Sequence, residues 1–402
     1  MKLPRFRFST VLLCALLGCT GVRADLASDI QSIVDAEMAA NHVTGAVVGV
    51  WRGGEEVTVF ARGYADVANG TPLTVTDHFR IASITKTFTT TRVLQLSDAG
   101  LLSLDDPIGS YVPGLSNGSA TLRQLGNMTA GFADYSRDPD FIATVTAAPL
   151  RVWSPSELVA RAEAMGPSFA PGTAWEYSNT HTVLLQMVIE QVTGRSLSQE
   201  FQTAFSTPLS MTQTSYPATA DLPDPFARGY LVDSATGGQS LVEVGHPSIF
   251  GGAGGIVSTL EDVRVWIEAV GRGDLVSAQS QSERLDMVPL VEGFGYGFGV
   301  MDAEGWIGHN GSYPPGYQTI ALYDPGYPCQ FVLHRRLPLS GRSGLADQTA
   351  ARAGTLHLRV ARPGGRWIGS ARPSPPLQIS RARVFREAPA RQRCGCFVLA
   401  GG

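Results

Sequence analysis

Apolar side chains recur at Ile30, Ile33, Val34 and Met38, a spacing that puts them on one face and predicts a helix over residues 25–43. Two strand-like runs follow, Ala46–Trp51 and Val57–Ala61, around a turn holding Gly53-Gly54, and together they read as a hairpin. The pattern is helical again from Ser83 to about Ala99, with Gly100 where a C-cap would fall. Ser154-Pro155-Ser156-Glu157 combines an N-cap serine, proline at the first helical position and a glutamate able to reach back, which marks a helix start. Thr182–Val192 is an apolar helical run closed by Gly194, and Thr259-Leu260-Glu261-Asp262 opens a helix carrying Val263, Trp266 and Ile267. Strand patterning returns over Gly293–Met301, in a short run ending at Ile307, and over Tyr317–Tyr323. Strands, then helices, then strands predict an α+β fold: an antiparallel sheet flanked by helices, built from both ends of the chain, with an all-α domain inserted. The expected division is a sheet domain over 25–82 and 250–330 and a mainly helical domain over 83–249.

Composition adds three things. The 402 residues, 44% apolar and 16% charged, suffice for a large core, and a formal charge of −4 gives no electrostatic case for nucleic acid. Lys2, Arg5 and Arg7 precede the apolar run Val11–Leu17, and Val22-Arg23-Ala24 offers small residues for cleavage, so residues 1–24 are read as a signal peptide and the protein as exported, periplasmic or secreted. Leu16-Leu17-Gly18-Cys19 resembles a lipobox, which would tie the protein to a membrane only if Cys19 is lipidated. Of 31 basic residues only Lys2 and Lys86 are lysines; an arginine cannot give up its proton in a protein, whereas a buried lysine can. Residues 331–402 form an anomalous tail with 13 arginines, Asp347 and Glu387 as its only acids, and poor periodicity. The first reading of it is a shifted frame in a GC-rich gene; a disordered segment and a basic tail for acidic partners are the alternatives.

Ser83-Ile84-Thr85-Lys86 sets a hydroxyl and an amine on one helical face, where a neutral amine can take the proton of a poor nucleophile. Tyr177-Ser178-Asn179 lies between Pro171-Gly172 and the apolar run from Thr182, at a loop-to-helix junction. A tyrosine beside a lysine can shuttle protons, and an asparagine amide can both donate to and accept from a substrate amide. Gly308-His309-Asn310-Gly311 is expected at the end of a strand, with glycine admitting substrate to the strand edge and histidine serving as a cation or proton carrier.

Taken in this order, Ser-x-x-Lys, Tyr-x-Asn and His-x-Gly resemble the penicillin-recognising serine hydrolases, above all serine D-alanyl-D-alanine carboxypeptidases and class C β-lactamases. Supporting stretches include Leu104-Asp105-Asp106-Pro107, Thr121–Leu125, Phe169-Ala170-Pro171-Gly172 and Gly251–Ser258, so the likeness runs from about Ile30 to Pro325. It implies a β-lactamase/transpeptidase-like fold and a catalytic set of Ser83, Lys86 and Tyr177, leaving open which group is the base. Asn179, His309, Gly311 and Ser312 would bind substrate, with the Ser83 and Ser312 N–H groups as oxyanion hole. No metal or organic cofactor is implied. The expected activity is D-Ala-D-Ala carboxypeptidase-like, on small peptides such as peptidoglycan stem peptides, with β-lactams as acylating ligands. Alternatives are an esterase, a D-aminopeptidase, a class C-like β-lactamase, or a periplasmic binding or sensor protein without turnover. His309 stands where typical β-lactamases have lysine. Met301 and Asp302 stand where some carboxypeptidases have an arginine for the substrate carboxylate.

Two motifs are decoys. Gly114-Leu115-Ser116-Asn117-Gly118 has the letters of a nucleophile elbow but no buried strand before it. Asp105-Asp106 reads as a helix-to-loop boundary before Pro107 rather than a catalytic carboxylate pair.

Overall fold

The computed structural model describes residues 21–233, 238–241, 245–313, 316–326, 329–335 and 338–339, with two dipeptides at 357–358 and 399–400. Helix α1 (Gly21–Ala40) leads into the hairpin of β1 (Gly45–Arg52) and β2 (Glu55–Asp66), followed by β3 (Thr71–Pro72), β4 (Phe79–Arg80) and α2 (Thr85–Asp98). The middle supplies α3 (Leu122–Gly126), α4 (Pro139–Ala147), α5 (Pro155–Met165), α6 (Asn179–Thr193) and α7 (Leu197–Phe201), then β5 (Tyr230–Asp233) and β6 (Gln239–Leu241). Strand β7 (Val257–Ser258) pairs with β4 and precedes α8 (Leu260–Arg272) and α9 (Ala278–Arg284). The strands that follow in the main sheet are β8 (Val288–Val291), β9 (Phe294–Tyr296), β10 (Met301–Ala303), β11 (Trp306–Tyr313), β12 (Tyr317–Asp324) and β13 (Cys329–Arg335).

Nine strands make one sheet in the order β3-β2-β1-β13-β12-β11-β10-β9-β8. The two ends of the chain meet where β1 pairs antiparallel with β13, Val48 opposite Leu333. The expected architecture is the observed one, an antiparallel sheet from both chain ends with a helical middle. One boundary moves. β13 is bonded to β1 on one side and β12 on the other as far as Arg335, so residues 331–335 are a central strand and not the start of the tail. The apolar run Phe331-Val332-Leu333 supplies that strand; the arginine-rich stretch beyond it hid the signal. The leader up to residue 20 and nearly all of the tail past 339 lie outside the described residues.

One sheet face is covered by α1, whose Ile30 and Val34 are buried with Val48, Val50, Phe60, Trp306, Ile320 and Leu322. The other face carries the main core, in which Phe88 of α2 stacks on Trp266 of α8 at 3.6 Å between centroids. Full burial of one such side chain contributes about 2–3 kcal/mol. Helix α2 is buried on nearly every side although five of its residues are threonines. It can be, because their hydroxyls find acceptors close by: Thr87 on the Ile84 carbonyl (2.7 Å), Thr90 on that of Lys86 (2.9 Å) and Thr91 on that of Thr87 (2.6 Å). Such a helix has no exposed face to rotate toward water, and it fixes Lys86 in the interior.

Candidate active site

Ser83 lies in a 3-10 turn, Ala82–Ile84, directly ahead of α2 rather than in the α-helix itself. The turn is clamped from one side by the Ile81 N–H bonded to the Ile256 carbonyl (3.1 Å). Ala82 holds φ at +50°, a conformation that costs a non-glycine residue about 1–3 kcal/mol and persists only where the surroundings over-determine it. The serine that follows is therefore presented by a strained, held turn.

Lys86 is fully buried, and its Nζ contacts Ser83 Oγ at 3.1 Å, Asn179 Oδ1 at 2.8 Å and the Ala253 carbonyl at 2.8 Å. Asn179 sits at the first position of α6, whose start is set by Ser178 accepting from the Thr180 N–H. Its amide is engaged at both ends. Nδ2 faces the Asp134 carboxylate (3.2 and 3.3 Å) and Ser136 Oγ (3.1 Å), while Oδ1 faces the lysine. The sequence reading gave this amide to substrate; the geometry gives it to Lys86 and Asp134, although the residue still lines the cleft.

The Tyr177 ring lies over Lys86, with Nζ 4.9 Å from its centroid, a cation–π arrangement for the protonated amine. Tyr177 packs edge-on to Tyr296 at 6.1 Å, and His309 lies 6.1 Å from Tyr177. His309 is completely buried; Nδ1 meets the Asn310 carbonyl, and Nε2 lies 3.1 Å from the Tyr296 hydroxyl. A carbonyl only accepts, so Nδ1 carries hydrogen and, in the neutral ring, Nε2 accepts from Tyr296. In the structure His309 is thus part of a buried aromatic wall, closed off from solvent.

Gly308–Gly311 do not end a strand. β11 continues to Tyr313, paired with β12 from Ile307 onward but with β10 only over Trp306–Gly308, and Gly311 beyond that point runs close beside the Ser83 turn. Gly311 explains the approach: a Cβ there would stand 2.3 Å from the Ile81 carbonyl and 3.1 Å from the Ser83 nitrogen. The expectation was that glycine makes room for substrate; what it makes room for is the nucleophile turn. Between turn and strand lies a narrow cleft lined by Ser83, Asn179, Phe250, Ala253, Gly254 and Ser312.

The structure therefore brings Ser83, Lys86, Tyr177, Asn179, His309, Gly311 and Ser312 into one neighbourhood. It adds three groups that sequence reasoning missed: the Asp134 carboxylate, the Ala253 carbonyl and Tyr296. The stretches Gly251–Ser258 and Gly293–Met301 carry a trace of the latter two; nothing local marks Asp134. Ser116 of the false elbow is exposed and bonded through both N–H and hydroxyl to Glu163. Asp106 accepts from the Ser103 N–H and Tyr111, and Asp105 pairs with Arg123, so neither carboxylate is in the cleft. Among the described residues no cluster of three His, Cys, Asp or Glu side chains forms a metal site.

His181, two residues after Asn179, secures the loop that carries Asp134. Its Nε2 accepts from the Phe132 N–H (3.2 Å) and Nδ1 meets Met128 Sδ (3.3 Å). Burial holds its pKa down to about 3, the Asp134 charge opposing. An unfolded histidine protonates near 6.5, so between these values the unfolded chain binds the extra proton and stability falls as pH drops, by about 1.4 kcal/mol per unit. Urea unfolding at pH 7.5 and pH 5 is expected to show this loss in the wild type and much less of it in His181→Gln; equal losses would refute the assignment.

A family model described as beta-lactamase matches residues 30–353. The structure is similar to that of a D-stereospecific amidohydrolase from Streptomyces sp., with TM-score 0.71 and 30% identity, over 82% of this chain and 99% of that one. The sequence is 26% identical over 301 residues to a penicillin-binding protein of Bacillus subtilis (strain 168), covering 71% of this chain and 64% of the relative. It is 27% identical over 315 residues to esterase EstB of Burkholderia gladioli, covering 70% of this chain and 80% of the relative. The chain spans between 49% and 64% of the length of the first curated relatives it matches.

Proposed function

The chain belongs to the beta-lactamase family of serine hydrolases, and on that premise we propose that it cleaves the amide bond following a D-amino acid through an acyl-enzyme on Ser83. The observation that carries the reading is the 3.1 Å contact between Ser83 Oγ and the buried amine of Lys86. Ser83 Oγ adds to the substrate carbonyl and its proton passes to the amine, over which the Tyr177 ring lies. The Ser83 and Ser312 N–H groups receive the oxyanion, each such donor being worth about 2.7–4 kcal/mol in other hydrolases. Collapse expels the leaving amine, which takes up the proton, and water then releases the acyl group. β-Lactams enter as acylating ligands by the same attack.

Support for a D-configured acyl donor comes from the likeness to the Streptomyces amidohydrolase. Carboxypeptidase action on D-Ala-D-Ala stem peptides has the same acyl half. Met301 and Asp302 where an arginine would grip a terminal carboxylate favour a leaving group without one. Esterase action is the second reading, favoured by the likeness to EstB. The leader read over residues 1–24 supports export to the periplasm or beyond. A panel of D- and L-alaninamide, D- and L-phenylalaninamide, an acyl-D-Ala-D-Ala peptide and a p-nitrophenyl ester, run beside labelling by fluorescent penicillin, tests the reading. Turnover of D-amides over L-amides is expected. Turnover of the ester alone would shift the assignment to an esterase, and labelling without any turnover would indicate a sensor.

A further inference from the structure

Neutral lysine has two N–H bonds and one lone pair. At Lys86, two close contacts are to oxygens that only accept, the Ala253 carbonyl and Asn179 Oδ1, at 2.8 Å each, and a third is to Ser83 Oγ. If they take the two hydrogens, the lone pair is left directed at Ser83 Oγ, the geometry a general base needs. The arrangement depends on which end of the Asn179 amide faces the lysine, and an amide can rotate by half a turn at little cost in shape. The rotated amide would aim its NH2 at Lys86. The neutral amine would then spend its lone pair on Asn179 and point a hydrogen at Ser83, so the base would be lost.

Asp134 fixes the amide. Asp134, its side chain completely shielded from solvent, offers both carboxylate oxygens to Asn179 Nδ2 and also accepts from the N–H and hydroxyl of Ser136. A carboxylate accepts only, so the rotated amide would set oxygen against oxygen in a buried site. Asp134 in turn lies 4.0 Å from Arg137, which pairs with Glu176 next to Tyr177, and the loop behind it is held by His181. We infer that Asp134 is a positioning residue: it locks the Asn179 amide with oxygen toward Lys86 and thereby aims the lysine lone pair at the nucleophile. This rests on the reading that Ser83 is the acylated residue, and it makes Lys86 the base for Ser83.

The test is the time course of labelling by fluorescent penicillin over a range of concentrations, which separates the maximal acylation rate from the half-saturating concentration. Asp134→Asn keeps the shape but supplies an NH2 that tolerates the rotated amide. Its maximal rate is expected to fall about 10–100-fold, part of what a general base contributes, with half-saturation within about threefold of wild type. Asn179→Asp alone sets two carboxylates side by side and should also be slow. The exchanged pair, D134N with N179D, restores an acceptor facing Lys86 and a donor–acceptor contact behind it. It is expected to recover to within about tenfold of wild type, faster than either single variant. Thermal melting establishes that each variant is folded. Wild-type rate in Asp134→Asn, or an exchanged pair that is folded and no faster than the single variants, overturns the positioning role alone. A wild type that takes no label at Ser83 overturns the acyl-enzyme reading and this role with it.

Discussion

Ser83→Ala is expected to abolish both labelling by penicillin and turnover of every substrate in the panel, a loss of at least about 10⁴-fold, because deleting a covalent nucleophile removes the reaction path rather than weakening it. The fold should survive. The hydroxyl contributes the contact to Lys86 at 3.1 Å, while the lysine keeps the Asn179 and Ala253 oxygens, so the stability change should stay near the 1 kcal/mol typical of one hydrogen bond. The strain at Ala82, with φ at +50°, is a backbone property and remains. Ser116→Ala is the matched control: that serine is exposed and bonded to Glu163, and its loss should leave the labelling rate unchanged. The measurement is intact-protein mass after incubation with penicillin, with the modified peptide mapped. A mass increase in folded Ser83→Ala would reject Ser83 as nucleophile, and mapping would then ask whether Ser312, also in the cleft, carries the adduct.

Local chemistry made much of this structure legible, and non-local chemistry hid the rest. The capping box of Ser154 and Glu157 forms as the letters suggest, and Gly194 takes the left-handed C-cap of α6, since both motifs are decided within one turn of helix. Ser-x-x-Lys was legible for the same reason. β11 was read too short because the two glycines of Gly308-His309-Asn310-Gly311 suggest a strand end; what makes it strand is pairing with β12, and the glycine at 311 answers to the Ser83 turn more than two hundred residues earlier in the chain. β13 was cut short by the composition of its sequel. Asp134 could not have been found from its neighbours, since it lies in a loop and its partner Asn179 arrives on α6, 45 residues later. Groups that orient the reacting residues, rather than react, carry no letter pattern of their own.

Gly311→Ala is expected to reduce acylation by about 100-fold or more, since displacements near 1 Å at a reacting group cost on that order. The position does not need glycine for its dihedral angles, unlike Gly194 with φ at +66°; it needs the missing Cβ. That atom would sit 2.3 Å from the Ile81 carbonyl, 3.0 Å from Ala82 Cβ and 3.1 Å from the Ser83 nitrogen. The first of these is backbone and cannot swing aside. Either β11 or the nucleophile turn must retreat, and both are held, the strand by its ladder to β12 and the turn by the bond from Ile81 to Ile256. Retreat separates the Ser83 and Ser312 nitrogens, so the oxyanion site widens while Ser83 and Lys86, both on the α2 side, keep their contact. The loss should therefore fall on the acylation rate, accompanied by a stability cost of about 1–3 kcal/mol for the overpacked contact. Asn310→Ala, at an exposed position one residue earlier on the same strand, should change neither. If Gly311→Ala acylates at the wild-type rate, the strand and the turn are not the two walls of the working site, and the oxyanion role of Ser312 falls with them.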